Sequence, residues 1–262
     1  MTSKTEPRLL CYDLGEGVTA FSTTRHGGVS EANYASFNIN PYCGDSADHV
    51  ARNRQLLADR LRLPVSHIVL PHQVHGIEHR AVAPELLDMS DAVRDKILDG
   101  VDMVTTSMTG VCIGVSTADC IPVLLYDPVA RATAAIHAGW RGTLQRICQR
   151  AVMAMQLHYG TPPDRLRAVV GPGISLANFE VGQEVYDQFL QAGFDLTETA
   201  EWHTKWHLDL PGINIRELIG CGVAPEHIHH ADICTFDHAD DYFSARRLGI
   251  DSGRIYTGIL MR

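Results

Sequence analysis

The segment from residue 101 to residue 138 most constrains what this chain can fold into. Four runs, 101–105, 111–117, 121–126 and 132–137, are apolar over most of their length and are separated by short polar or glycine-containing breaks. They are too short for buried helices and lack the alternation of a strand with one wet face. They read as strands covered on both faces. Further strand-like runs stand at 18–24, 68–70, 166–170 and 255–260.

Helical patterns are fewer. Residues 46–63 place Val50, Leu56, Leu57 and Leu61 along one side. Residues 143–159 carry Leu144, Ile147, Ala151, Val152 and Met155 at amphipathic spacing, with Gly160 placed to cap and Pro162 to prevent resumption. Shorter helices are expected at 183–192 and 213–220. Strands outnumber helices and do not alternate regularly with them. The expected class is therefore α+β, a layered domain of mixed β-sheets flanked by helices, and not a doubly wound sheet. No Pro/Gly/Ser linker or repeat divides the 262 residues, so one domain spanning 1–262 is expected.

The formal net charge of −9 gives no bulk attraction to nucleic acid or to an anionic membrane, and neither is expected as a partner. No run approaches a membrane span, and the N-terminal residues lack the apolar stretch of a signal peptide. The seven cysteines are odd in number and form no CxxC pair, which reads as reduced thiols in the cytoplasm. A monomer is expected.

Several common catalytic signatures are missing. There is no GxxxxGK[ST], GxSxG or HExxH, and no HxE…PCxxC of the zinc nucleobase deaminases. Gly171-Pro172-Gly173 begins like a dinucleotide loop, but Pro172 removes a backbone donor and Leu176 stands at the sixth position.

Three other segments stand out, each at the end of a strand-like run: His72-Gln73-Val74-His75-Gly76, Thr117-Ala118-Asp119-Cys120, and His137-Ala138-Gly139-Trp140-Arg141-Gly142. Thiolate and imidazole together suit zinc. Two histidines and one cysteine would leave a fourth position open, the catalytic pattern. Cys120 and His137 are 17 residues apart and His75 lies 45 before Cys120, a spacing typical of neither zinc fingers nor helical zinc motifs. A second reading stays open, with Cys120 a buried thiol and each histidine a hydrogen-bonded loop residue. The third segment also reads as an anion site. Gly139 and Gly142 would let the chain turn tightly into a helix whose N-terminus favours negative charge. Arg141 adds a guanidinium fork, or else bridges a carboxylate structurally.

Together these residues resemble the YfiH family, known also as the laccase-domain or peptidoglycan-editing-factor family. The resemblance runs in order along nearly the whole chain. It takes in Phe21-Ser22-Thr23-Thr24-Arg25-His26-Gly27-Gly28, Tyr34-Ala35-Ser36-Phe37-Asn38, Cys43-Gly44-Asp45 and Asn53-Arg54. The three central segments follow, then Gly171-Pro172, Phe179-Glu180-Val181-Gly182, Cys234-Thr235 and Phe243-Ser244-Ala245-Arg246-Arg247. It implies a zinc ion held by His75, Cys120 and His137. It also implies purine nucleoside phosphorylase activity on adenosine, inosine, guanosine or 5′-methylthioadenosine, with adenosine deamination as a side activity. Copper-dependent polyphenol oxidation and editing of peptidoglycan precursors are further implied activities. The implied fold is layered α+β, similar to the catalytic domain of cytotoxic necrotizing factor. Two departures fall near Arg246: Ala245 where the family usually has tyrosine, and Leu248 where it often has an acidic residue.

The leading expectation is phosphorolysis of a purine nucleoside, with nucleoside and phosphate as ligands. Arg141 and the helix start would hold phosphate, with Arg25 or Arg246. Asp119 is the candidate proton shuttle for deamination, although alternation along a strand would point it away from Cys120. Asn38 would contact sugar or base, or else cap a turn. One rival makes Cys120 and His137 a nucleophile–base pair for amide hydrolysis. A second makes the protein a copper oxidase, against which stands the absence of an HxH pair to organise a trinuclear cluster. A third is a binding module with structural zinc. His72 reads as a plain loop residue, Trp202 and Trp206 as packing or surface, and His229-His230 as edge-strand decoration. His203 and His207 have i, i+4 spacing but no helical pattern around them.

Overall fold

The computed structural model describes residues 6–262; residues 1–5, on which part of the N-terminal reading rests, lie outside the described residues. In chain order the first elements are β1 Leu9–Tyr12, β2 Val18–Thr23, α1 Ala47–Leu61, β3 Ile68–Val69, β4 Glu78–Ala81, α2 Pro84–Asp88 and α3 Asp91–Leu98. They continue with β5 Val101–Thr106, β6 Cys112–Thr117, β7 Ile121–Asp127, β8 Ala132–Ala138, α4 Trp140–Leu144, α5 Ile147–Tyr159 and β9 Arg167–Val170. The last are β10 Glu180–Val181, α6 Gln183–Gln191, β11 Ala200–Trp202, β12 Trp206–Leu208, α7 Leu210–Gly220, β13 Ile228–His230, α8 Ala245–Leu248 and β14 Ile255–Met261. No helix among the described residues is long and apolar enough to cross a membrane.

The central strands are apolar on both faces because each face meets a different core. On β7, Ile121, Val123 and Leu125 pack with α5 and α7, while Leu124 and Tyr126 enter a second core. On β8, Ala134 and Ile136 belong to the first core and Ala135 to the second. On β6, Ile113 and Val115 face the second core and Cys112 faces a third, beneath α1. This period-two division of side chains produces four layers. In order they are α1, a sheet β1-β2-β14-β6-β3, a sheet β13-β9-β7-β8-β5-β4, and a helical layer including α5 and α7. A small sheet β10-β12-β11 stands beside them. The pairing is mixed: β7 is antiparallel to both β8 and β9, whereas β13–β9 and β4–β5 are parallel. The expected α+β class holds.

One expected helix is broken. Residues 143–159 do not form a single helix; α4 ends at Leu144 and α5 begins at Ile147, with Arg146 left-handed at φ 60°, ψ 47° between them. Left-handed backbone costs a non-glycine residue roughly 1–2 kcal/mol. Tertiary contacts offset it, since the Arg146 guanidinium pairs with Glu217, donates to Ala192 O and lies 4.1 Å from the Phe194 ring centroid. Ile147 is fully buried and Leu144 packs on the same core, so the apolar spacing survives the break and conceals it. His229 and His230 do lie on the edge strand β13, and His203 and His207 belong to a β-hairpin region, not a helix. All seven cysteines are free.

Helix α1 ends in a Schellman motif. Leu63 N donates to Ala58 O, and the left-handed Arg62, at φ 57°, donates to Asp59 O. The Arg62 side chain is exposed, so its conformation is the main cost at this position. Replacing Arg62 by glycine should stabilise the fold by about 0.5–1 kcal/mol. Urea unfolding measures this; a midpoint shifted downward would contradict the assignment of strain to that residue.

Candidate metal centre and its cavity

A buried carboxylate organises the site. Asp102 sits on β5, fully buried within an otherwise apolar strand. Its oxygens accept from the backbone N–H groups of Val74, His75 and Gly76 at 3.2, 3.0 and 2.7 Å, and from His137 Nδ1 at 2.7 Å. Burial alone would raise its pKa, but the His137 hydrogen bond and charge and the Gly76 and Val74 N–H groups hold it below the ordinary carboxylate value. One side chain thus fixes both the loop carrying His75 and the ring of His137. Because Nδ1 of His137 donates to Asp102, Nε2 is left for a ligand, the usual carboxylate–histidine support of a metal site.

The three expected ligands converge. His75 follows β3 on a loop with φ 63°, Cys120 precedes β7, and His137 lies near the end of β8. One donor atom from each falls within 4.8 Å of the others. Burial disfavours the Cys120 thiolate, yet the His137 charge and hydrogen bonds from His137 and His75 outweigh it and bring the thiol down to about 6. The thiolate is also the ligand form of cysteine. His137 moves the other way, with Cys120 and Asp102 overcoming burial to favour the protonated ring. An anionic donor set of this kind, supported from behind and closely spaced, fits a divalent cation in the place of that proton.

Glycine at 139 is a steric requirement. A Cβ there would stand 2.9 Å from His75 Cδ2 and 3.1 Å from Cys120 Sγ. Its φ is −71°, so close approach, and not left-handed backbone, is what needs glycine. Gly142 lies inside α4 rather than ahead of it, and a Cβ there would stand 3.2 Å from Gly76 O. The expectation that both glycines turn the chain before the helix is corrected accordingly.

The three ligands line a cavity of about 600 Å³, together with Asp119, Arg246, Tyr42, His72, Phe179 and other residues. Asp119 has φ 87°, and its carboxylate accepts from Thr235 Oγ1 and Arg246 N, both at 2.7 Å. Arg246 reaches Glu180 O at 3.2 Å and sits 5.5 Å from the Phe179 ring centroid. The remaining expected contacts lie elsewhere. Arg141 is exposed over the Trp140 ring at 4.3 Å and is not among the lining residues. Arg25 donates to Ala35 O and Ala239 O and holds loops together. Asn38 is buried; its amide donates to Asp45 and accepts from Asn40 N and Arg254 N. Ala245 lines the cavity.

Sequence reasoning missed Asp102, whose one signal was a lone carboxylate inside an apolar run. It missed Gln73, whose side chain pairs with Ser116 N at 2.8 Å and Ser116 O at 2.9 Å and ties the His75 loop to β6. It also missed the place of His72 and Tyr42 on the cavity wall.

Residues 19–262 match the family profile described as multi-copper polyphenol oxidoreductase laccase. The chain belongs to this family, the YfiH family. A purine nucleoside phosphorylase of Bacteroides thetaiotaomicron is 44% identical over 93% of this chain and 92% of that one. Adenosine deaminase RL5, from an unknown prokaryotic organism, is 39% identical over 93% of this chain and 94% of its own length. The crystal structure of Bacillus licheniformis YfiH superposes with a TM-score of 0.90 at 29% identity, covering 98% of this chain and 97% of that one. The family's layered α+β fold is therefore shared over nearly the full length.

Removing the support should weaken the site while leaving its ligands in place. Asp102→Asn should lower affinity for added divalent metal by about 10–100-fold. Gly139→Ala should lower it by crowding His75 and Cys120. Competition with a chromophoric chelator reads both, with circular dichroism as the folding control. Native affinity in folded Gly139→Ala protein would contradict the close-packed geometry.

Proposed function

We propose that this YfiH-family protein is a zinc-dependent enzyme acting on purine nucleosides, chiefly by phosphorolysis, with adenosine deamination as a side activity. The observation that carries the proposal is the convergence of His75, Cys120 and His137 on the wall of an open cavity large enough for a nucleoside. The names of its relatives, a purine nucleoside phosphorylase and an adenosine deaminase, support the substrate class. A two-histidine, one-thiolate set with an open position suits a catalytic zinc; single blue-copper sites use the same donors, so what speaks against a copper oxidase is the number of ligands. Among the described residues this is the one cluster of three or more such ligands, too few for a multicopper centre.

Zinc bound there would supply Lewis acidity toward the purine or a water molecule. The chain's own residues would do the rest. Phe179 and Trp140 offer aromatic surface for the base. Arg246 replaces Arg141 as the candidate for the phosphate, because it lines the cavity and Arg141 does not. A phosphate oxygen would bond to the anomeric carbon while the glycosidic C–N bond breaks and its electron pair leaves with the base, which then takes up a proton. Positioning and charge complementarity would lower the barrier. Asp119 acts as a positioning residue in this scheme, since its carboxylate holds the start of α8 and with it Arg246.

A second reading rests on a specific arrangement. Cys120, His137 and Asp102 stand in the order nucleophile, base and orienting carboxylate, which would serve amide hydrolysis without a metal. All seven cysteines being free fits a reducing compartment such as the cytoplasm.

Purified protein should carry about one zinc per chain. It should convert adenosine and phosphate to adenine and ribose 1-phosphate. Cys120→Ser should lose the metal and lower turnover by about 100-fold or more. Elemental analysis and liquid chromatography read the two effects. Full nucleoside turnover after chelation would contradict the zinc reading; chelator-resistant amidase activity without nucleoside turnover would favour the second.

A further inference from the structure

His72 lines the same cavity but has no part in the metal set. The residue is held by its backbone and by two side-chain contacts. Its backbone forms a bridge with Asp99, through His72 N to Leu98 O at 3.0 Å and Gly100 N to His72 O at 2.9 Å. Its Nδ1 lies 2.6 Å from Asp99 Oδ1. Its ring stacks on Tyr42, with centroids 4.2 Å apart and planes at 29°. Tyr42 is held in turn, its backbone N donating to Asn40 Oδ1 at 2.6 Å while Asn40 Nδ2 donates to Ser116 Oγ at 2.6 Å.

A histidine side chain 40% exposed has ordinary freedom to move, and nothing in the cores requires this one to be fixed. Such immobilisation is what a recognition group needs, because a side chain ordered beforehand loses little entropy when ligand arrives. The chemistry it offers follows from the partner. An ionised carboxylate only accepts, so the proton of the Asp99 contact sits on Nδ1. Nε2 has no partner among the described residues, and in the neutral ring it carries a lone pair.

We propose that His72 is a substrate-contacting, specificity-determining residue. Its Nε2 accepts a hydrogen bond from an O–H or N–H of the nucleoside, with Asp99 and Tyr42 as its positioning residues. The inference rests on the nucleoside reading above and deepens it. On adenosine two kinds of group supply this chemistry, a ribose hydroxyl and the exocyclic 6-amino group. The proposal requires that at least one of them meets His72.

The experiment compares native protein with His72→Ala, His72→Gln and Asp99→Asn on adenosine, inosine, 2′-deoxyadenosine, 3′-deoxyadenosine and 5′-deoxyadenosine. KM and kcat are measured separately, and zinc content is checked for every variant. His72→Ala should raise KM by about tenfold for nucleosides bearing the recognised group, with kcat changed less and zinc retained. The nucleoside lacking that group should show little change. Loss of the effect with inosine would assign the contact to the 6-amino group, and loss with a deoxy analogue would assign it to that hydroxyl. His72→Gln, which keeps an acceptor at the end of a side chain of similar reach, should recover part of the KM. Asp99→Asn should fall between native and His72→Ala. Unchanged KM in zinc-loaded His72→Ala, or an equal rise for every nucleoside, would overturn this inference while native turnover upholds the nucleoside reading. Native protein that neither turns over nor binds any of the nucleosides by calorimetry would overturn both.

Discussion

The geometry of the candidate centre depends on one buried charge. Asp102 replaces its lost hydration with four donors, three from the His75 loop and one from the His137 ring. A carboxylate in an apolar strand is costly unless fully paired, so the pairing and the fold reinforce each other. The loop cannot leave without stranding the charge. The ring cannot rotate without the same consequence. Gln73 closes the arrangement from the other sheet through Ser116, so the loop is anchored to both β5 and β6.

That arrangement explains why the centre stands where two sheets meet. The strands β5 and β8 are neighbours in one sheet, and β6 lies in the other. Their shared core is packed with Val104, Val115, Leu124 and Ala135, all fully buried. Interiors of this density yield little to displacement. The ligands therefore come from loops and strand ends, as functional groups usually do, but on a base that does not deform.

Much of the fold was legible in the sequence because the central runs are apolar on both faces, which requires layers on both sides. The α+β class, the principal strands and helix α1 followed from that and from simple periodicity. The break at Arg146 was not legible. Leu144 and Ile147 keep helical spacing across it, and the contacts that tolerate a left-handed arginine come from Glu217 and Phe194, more than forty residues further along the chain. The small hairpin region around Trp202 and Trp206 was also missed, since its strands are only three residues each. At the site, the three candidate metal ligands could be picked out through motif resemblance, because Gly139 and the strand-end positions are local features. Arg25 and Asn38 carry motif positions too, yet they hold loops together, a role that only the folded contacts reveal. In the sequence His72 looks like a plain loop residue because its partners, Tyr42 and Asp99, lie thirty and twenty-seven residues away along the chain.

Two imidazoles and one thiolate are expected to hold a single metal ion, and X-ray absorption spectroscopy at the edge of the bound metal reads those neighbours. Native protein should show one sulfur scatterer at about 2.3 Å and nitrogen scatterers at about 2.0–2.1 Å, and any metal added back to Cys120→Ser should show no sulfur scatterer. A native spectrum fitted by nitrogen and oxygen alone, or an ion with a sulfur neighbour that persists in Cys120→Ser, would contradict it.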